Sequence, residues 1–208
     1  MFLFSELCRR LSPDAVRIVS DHRIVHLLTD SRTLSEPATT LFFALRTTSG
    51  DGHLYIRDLY DRGVRSFVIS DPSKDLMEKM PQANWMRVAH PLDALQRIAA
   101  LRRSMFDIPV IGITGSVGKT TTKEMVAAAL SSINIHKTKG NANSTIGLPL
   151  TLFGLEDENE ASIIEMGISE FHEMEKLVEA GKPNHAIFTN VGSAHIGNLG
   201  SKENILKE

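Results

Sequence analysis

Ile111-Gly112-Ile113-Thr114-Gly115-Ser116-Val117-Gly118-Lys119-Thr120-Thr121 runs from an apolar strand end through a loop of small residues into a helix. Small residues let the backbone curl so that successive N–H groups point at one anion. The helix behind the loop adds its positive end, and Lys119 supplies a point charge for outer phosphates. Thr120 places a hydroxyl directly after that lysine, where it can ligate the Mg2+ that travels with ATP. Gly115, Ser116, Val117, Gly118, Lys119, Thr120 and Thr121 are therefore the candidate nucleotide-binding residues, with ATP and Mg2+ as cofactors. The strict spacing G-x-x-x-x-G-K-[ST] wants glycine at 113, where this chain has Ile113; its glycines lie at 112, 115 and 118. The bland alternative is a glycine-rich turn with an exposed lysine, but strand, loop, Gly-Lys-Thr-Thr and helix coincide in the right order. A dinucleotide-binding loop is excluded. It needs G-x-G-x-x-G and an acidic residue about 20 positions on, and the next strand here ends Lys137-Thr138-Lys139.

The flanking sequence sets this loop in a regular frame. Pro91 opens a helix with Leu92, Leu95, Ile98, Leu101 and Met105 on one face. Strand Pro109–Ile113 precedes the loop and helix Thr120–Leu130; strand Asn134–Lys137 precedes helix Ile146–Leu152. Strand Ala161–Met166 precedes helix Glu170–Glu179, stopped by Gly181 and Pro183, and strand Ala186–Thr189 precedes a last helix from near Ser201. Apolar strands alternating with helices predict a parallel sheet covered on both faces. Upstream, helical spacing at Phe4, Leu7, Cys8 and Leu11 gives a first helix. Strands follow at Ile24–Leu28, Leu41–Ala44, Ser66–Ile69 and Trp85–Ala89. A turn at Ser49–His53 leads to helix Leu54–Arg62, ended by Gly63. The expectation is α/β throughout: a small unit over 1–90, and a truncated phosphate-loop sheet over 91–208 that ends within a helix, as in an N-terminal fragment of a longer protein.

Composition narrows the function. Over 208 residues the formal net charge is -2, with no block of like charge, which points away from nucleic acid and anionic membranes. No apolar run approaches the roughly 18 residues of a membrane span, and Met1-Phe-Leu-Phe-Ser-Glu lacks the basic start of a signal peptide. Cys8 is the only cysteine, on the apolar side of its helix, so a buried thiol and a cytoplasmic location are expected.

Thr114-Gly115-Ser116-Val117-Gly118-Lys119-Thr120-Thr121 resembles the shifted phosphate loop of the Mur ligases, and further segments agree in order. Lys123-Glu124-Met125, Gly140-Asn141-Ala142-Asn143, Ile146-Gly147-Leu148-Pro149-Leu150-Thr151-Leu152, Ile164-Glu165-Met166-Gly167 and Thr189-Asn190-Val191-Gly192-Ser193-Ala194-His195 resemble segments of the family's central domain. Thr29-Asp30-Ser31-Arg32 and Asp51-Gly52-His53 look like its UDP-binding segments. The resemblance is greatest to the member that adds D-alanyl-D-alanine to UDP-N-acetylmuramoyl-tripeptide, through an acyl phosphate formed at the cost of ATP, in peptidoglycan synthesis. It implies a UDP-substrate-binding unit over 1–90 and the first part of the central ATP-binding domain over 91–208.

The resemblance also implies roles. Glu165 and His195 become metal ligands beside Thr120, with Lys119 and His195 in the catalytic set. Ser31, Arg32, Asp51, Gly52 and His53 become the uridine diphosphate site, where an arginine fork and a hydroxyl suit the diphosphate. Asn141, Asn143 and Asn190 carry amides able to orient nucleotide, although asparagine is also a common turn former. Without the resemblance, Glu165 reads as a solvated strand end, and His195 and Arg32 as polar surface. Two departures stand out. His172-Glu173-Met174 replaces the usual Gly-Glu-Ile, and the carbamylated lysine of the family falls just past Glu208, with Lys207 two positions early. These residues alone are expected to bind but not ligate, and fusion to further domains after 208, alanine racemase included, is compatible with the sequence. The competing readings are the sister ligase that adds the third amino acid, a non-catalytic UDP-sugar-binding module, and a phosphate-loop switch NTPase.

Overall fold

The computed structural model describes residues 1–48, 50–71, 78–192 and 194–208, and it divides into two compact units, 1–98 and 99–208. Ser49, in the expected turn at Ser49–His53, and Ser193, in the histidine segment, lie outside the described residues.

In the first unit the strands are β1 (Phe2–Leu3), β2 (Ala15–Arg17), β3 (Arg23–Ile24), β4 (His26–Leu28), β5 (Thr40–Phe43), β6 (Arg46–Thr47), β7 (Gly50–Asp51), β8 (Ser66–Ile69) and β9 (Asn84–Arg87). Five form one sheet in the order β2-β9-β8-β5-β4, parallel except for β2 on β9. β5 and β8 are buried at every position, as central parallel strands should be. Leu28, Phe42, Phe67, Ile56 and Leu59 form the core beneath them, with the Phe42 and Phe67 rings edge-on at 6.4 Å. Leu54–Arg62 divides into a 3-10 turn, Gly52–Tyr55, and a helix, Ile56–Asp61. Gly63 follows in the left-handed conformation, φ 101°. β2, three residues long, is too short to show a period in sequence.

The second unit holds β10 (Val110–Thr114), β11 (Ile135–Lys137), β12 (Ala161–Glu165) and β13 (His185–Phe188), all parallel, in the order β11-β12-β10-β13. β10 is flanked on both sides, so the loop leaving it emerges between the ends of β12 and β13, the edge at which ligands gather in such sheets. Val110, Leu148, Leu152, Ile164 and Leu177 pack the core.

Most boundaries match the sequence reading to within a residue or two, with four corrections. The single strand expected over Ile24–Leu28 is two, β3 and β4, which belong to different sheets. The helix expected from Glu170 starts at Glu173, because His172 adopts the left-handed conformation, φ 66° and ψ 16°. Gly181 does not stop that helix but lies inside it; the stop is Lys182, at φ 42°. A further short helix, Ile196–Leu199, precedes Lys202–Lys207, which Ser201 caps through the Asn204 N–H at 3.2 Å. Among the described residues, no helix is long and apolar enough to cross a membrane.

Candidate functional site

β10 hands the chain to Gly115, and the helix Lys119–Ala129 begins after Gly118. Both glycines have positive φ, 132° and 91°, and the loop between them needs that freedom. At Gly115 the need is also steric, since a Cβ would stand 2.2 Å from the Thr189 hydroxyl and 2.9 Å from the Asn190 backbone.

The segment after β13 clamps the loop. Ser116 donates its N–H to the Asn190 carbonyl at 3.0 Å, and Val117 donates its N–H to the Asn190 side-chain carbonyl at 3.1 Å. The Asn190 amide returns a bond to the Val117 carbonyl at 3.2 Å, and the Thr189 hydroxyl adds another at 2.6 Å. Gly192 donates to the Ser116 hydroxyl at 2.8 Å. Two amides expected to face an anion are therefore spent on Asn190, whose side chain holds the loop. The amides of Gly118, Lys119 and Thr120 head the helix, where no intrahelical carbonyl exists to take them. Lys119 folds over the loop, its ammonium 2.6 Å from the Gly115 carbonyl. Thr121 is exposed on the first helical turn.

Glu165 is the most connected side chain here. It ends β12 at 2% exposure. The Thr120 hydroxyl donates to its carboxylate at 3.0 Å and the Asn143 amide at 2.8 Å, while the Lys123 ammonium lies 3.6 Å away. The Glu165 N–H donates to the buried Thr138 hydroxyl at 2.9 Å. A hydroxyl and a carboxylate converging at hydrogen-bond distance are the hard oxygen donors that Mg2+ accepts, so this pair fits the ion. His195 is exposed in the left-handed conformation, φ 60°. It lines a cavity of about 290 Å³ together with Gly115, Ser116, Lys119 and Asn190. Thr120 and Glu165 are not on that wall. Asn141 is exposed on the turn before Asn143, and its carbonyl accepts the Asn143 N–H at 2.7 Å.

Sequence reasoning missed Lys123, Thr138 and Thr189. For Lys123 a signal existed: it lies three residues after Thr120, so both belong to one helix face.

In the first unit, Asp51 organises its neighbours. Its carboxylate accepts the His53 N–H at 2.9 Å, the His53 ring at 2.6 Å and Arg46 at 3.0 Å. Burial pushes that carboxyl up, but these bonds outweigh it and hold the pKa at about 2. The other ring nitrogen of His53 accepts the Ser70 N–H at 3.1 Å, so His53 spans two segments with both nitrogens occupied. Gly52 is required by close approach, since a Cβ there would sit 2.8 Å from the Leu45 nitrogen. Ser31 opens a 3-10 turn, and its carbonyl accepts Arg62 at 2.9 Å. The Arg32 guanidinium grips Asp30 with two arms, 2.9 and 2.6 Å, while remaining 86% exposed.

Residues 113–208 match the Mur ligase middle domain, and residues 23–103 match the Mur ligase family, catalytic domain. The chain is 44% identical over 183 residues to the UDP-N-acetylmuramoyl-tripeptide--D-alanyl-D-alanine ligase of Synechocystis sp., covering 88% of this chain and 39% of that protein. Its identity to the enzyme of that name from Bacillus subtilis is 36% over 188 residues, or 89% and 40% of the two chains. Among solved structures, MurF from Acinetobacter baumannii superposes with a TM-score of 0.84 at 28% identity, covering 97% of this chain and 43% of that one. MurF ligase from Thermotoga maritima in complex with ADP gives 0.76 at 28% identity, covering 88% and 41%. The chain thus spans about 40% of the length of the curated relatives it matches.

Proposed function

Because this chain belongs to the Mur ligase family, we propose that it carries the UDP-substrate unit and the nucleotide loop of an ATP-dependent ligase. That ligase joins D-alanyl-D-alanine to UDP-N-acetylmuramoyl-tripeptide in peptidoglycan synthesis, in the cytoplasm. The observation that carries the reading is the Thr120–Glu165 contact of 3.0 Å at the head of the loop helix.

A carboxylate is a poor electrophile, because its charge repels a nucleophile and oxide is a poor leaving group. The terminal carboxylate of the tripeptide attacks the γ-phosphorus of ATP, and the bond to the bridging oxygen breaks to release ADP. The amine of D-alanyl-D-alanine then attacks the acyl carbon, gives up a proton and expels inorganic phosphate. In this chain the helix-head amides and Lys119 offset the charge gathered at the phosphoryl centre. Thr120 and Glu165 would hold a Mg2+ ion, which would supply further positive charge there. The Asn190 clamp keeps the loop shaped before nucleotide arrives, so little ordering cost falls on binding. Ser31 and Arg32 form the candidate diphosphate contact, with Asp30 holding the Arg32 guanidinium, and Asp51, Gly52 and His53 shape the segment beside β6.

Calorimetric titration with Mg·ATP and, separately, with UDP-N-acetylmuramoyl-tripeptide tests the reading. Lys119→Ala and Glu165→Gln should each abolish Mg·ATP binding and leave the UDP substrate untouched. Mg·ATP binding unaffected by both substitutions would sink it.

A further inference from the structure

Lys123 is 1% exposed, and nothing in the phosphate-binding scheme uses it. Its ammonium lies 3.6 Å from one Glu165 oxygen, 3.5 Å from a Glu124 oxygen and 3.1 Å from the Gly140 carbonyl. Glu124 is half exposed and also paired with Lys137 at the surface, whereas Glu165 is 2% exposed. Lys123 is therefore the fixed counter-charge of the buried carboxylate.

We infer that Lys123 is a positioning residue that makes the Glu165–Thr120 site admit a divalent cation only as its nucleotide complex. The inference rests on the metal reading proposed above. A buried carboxylate without a partner is costly, so a metal site built on Glu165 alone would have to be held open by the ion itself. Lys123 removes that need: together with Thr120 and Asn143 it holds the Glu165 carboxylate in place. Its charge has a second consequence. Glu165 contributes one negative charge, Lys123 cancels it, and Lys119 stands at the same helix head. A bare dication approaching Glu165 meets no net attraction and a buried ammonium within a few ångströms. A dication carried by ATP brings its own negative phosphates and overcomes that barrier. The device keeps free metal out of the loop and couples metal entry to nucleotide entry.

The test counts protein-bound Mn2+ by equilibrium dialysis, with and without a non-hydrolysable ATP analogue, against protein-free controls holding the same analogue. Wild type should bind Mn2+ at least tenfold more tightly with the analogue than without. Lys123→Met removes the charge, and Lys123→Gln removes it while keeping a donor for the Gly140 carbonyl. Each should bind Mn2+ without nucleotide at least tenfold more tightly than wild type, and Mn2+ should raise their melting temperatures where it leaves that of wild type unchanged. A purely structural lysine would lower melting temperature without raising free-metal affinity, and that result overturns the inference. Tight Mn2+ binding by wild type without nucleotide overturns it too. If neither single variant folds, Lys123→Arg, which keeps the charge, decides: Mn2+ binding without nucleotide as weak as in wild type supports the inference, and binding at least tenfold tighter overturns it. Should Glu165→Gln bind Mn2+ and the analogue like wild type, the metal reading itself fails, a result independent of Lys123.

Discussion

Gly115 and Thr189 approach so closely that a Cβ on the glycine would stand 2.2 Å from the threonine hydroxyl oxygen. The contact joins the phosphate loop to the segment after β13, and the Asn190 bonds to Ser116 and Val117 depend on it. Gly115→Ala would add a Cβ at φ 132°, where an L-residue is strained, and push the loop off its clamp. The expected result is a folded protein, less stable by about 1–3 kcal/mol, with Mg·ATP affinity reduced at least tenfold in calorimetry. An alanine variant that binds nucleotide like wild type would show that the clamp does not shape the site.

Arg32 and Asp30 give a prediction with opposite signs at two paired positions. The guanidinium is bound by both Asp30 oxygens, and hydrogen bonds from the Arg32 side chain and N–H pull the Asp30 carboxyl down to about 2. An incoming diphosphate must share or displace that partner. Arg32→Ala should weaken UDP-N-acetylmuramoyl-tripeptide binding by roughly tenfold, the scale of one charge-assisted pair. Asp30→Asn keeps an acceptor for the Arg32 N–H but frees the guanidinium, so affinity should rise several-fold. Equal affinities in wild type and both variants would remove Arg32 from the substrate site.

His172 occupies a left-handed position just before the helix Glu173–Gly181, with its side chain 81% exposed. An L-residue other than glycine or asparagine pays about 1–2 kcal/mol to sit there. His172→Gly should relieve part of that, after the added entropy of the unfolded chain, for a net gain of about 0.5–1 kcal/mol. Chemical denaturation should show a higher midpoint at unchanged slope. A lower midpoint would mean that the imidazole makes a stabilising contact that outweighs the backbone strain.

Some of this was legible in sequence and some was not, for identifiable reasons. The strand, small-residue loop and helix from Ile111 to Thr121 are local, so their order declares itself. The placing of Glu165 at a strand end is also a local pattern, but its proposed role rests on the family resemblance, and the residues alone read it as solvated where the structure buries it. The clamp was not, because Asn190 lies more than 70 positions from Ser116 and Val117 in the chain and only the β10–β13 pairing joins them. Gly181 misled in another way. Glycine is the usual left-handed helix stop, yet Gly181 is the last helical residue and the left-handed cap is Lys182, ahead of Pro183. His53 was read as a substrate residue from its turn, while its packing against Ser70 is a tertiary fact that no local pattern encodes.

His136 sits in β11, with its ring against the Ser162 hydroxyl at 3.1 Å. Burial, aided by the positive charge of Lys139, pushes its pKa down to about 4, while a backbone hydrogen bond involving Thr151 opposes the shift. The unfolded chain takes up a proton near the ordinary histidine value of about 6.5, and the folded chain does so only near 4. Between those values acid favours the unfolded state. The neutral-ring contribution is therefore complete above about pH 6.5 and falls away as pH drops towards 4. The loss should be on the order of 1–3 kcal/mol, reduced by the partial exposure of the ring. Denaturant midpoints measured from pH 7.5 to 4.5 should fall more steeply in wild type than in His136→Gln, which cannot titrate. Parallel pH profiles in the two proteins would place the acid sensitivity elsewhere.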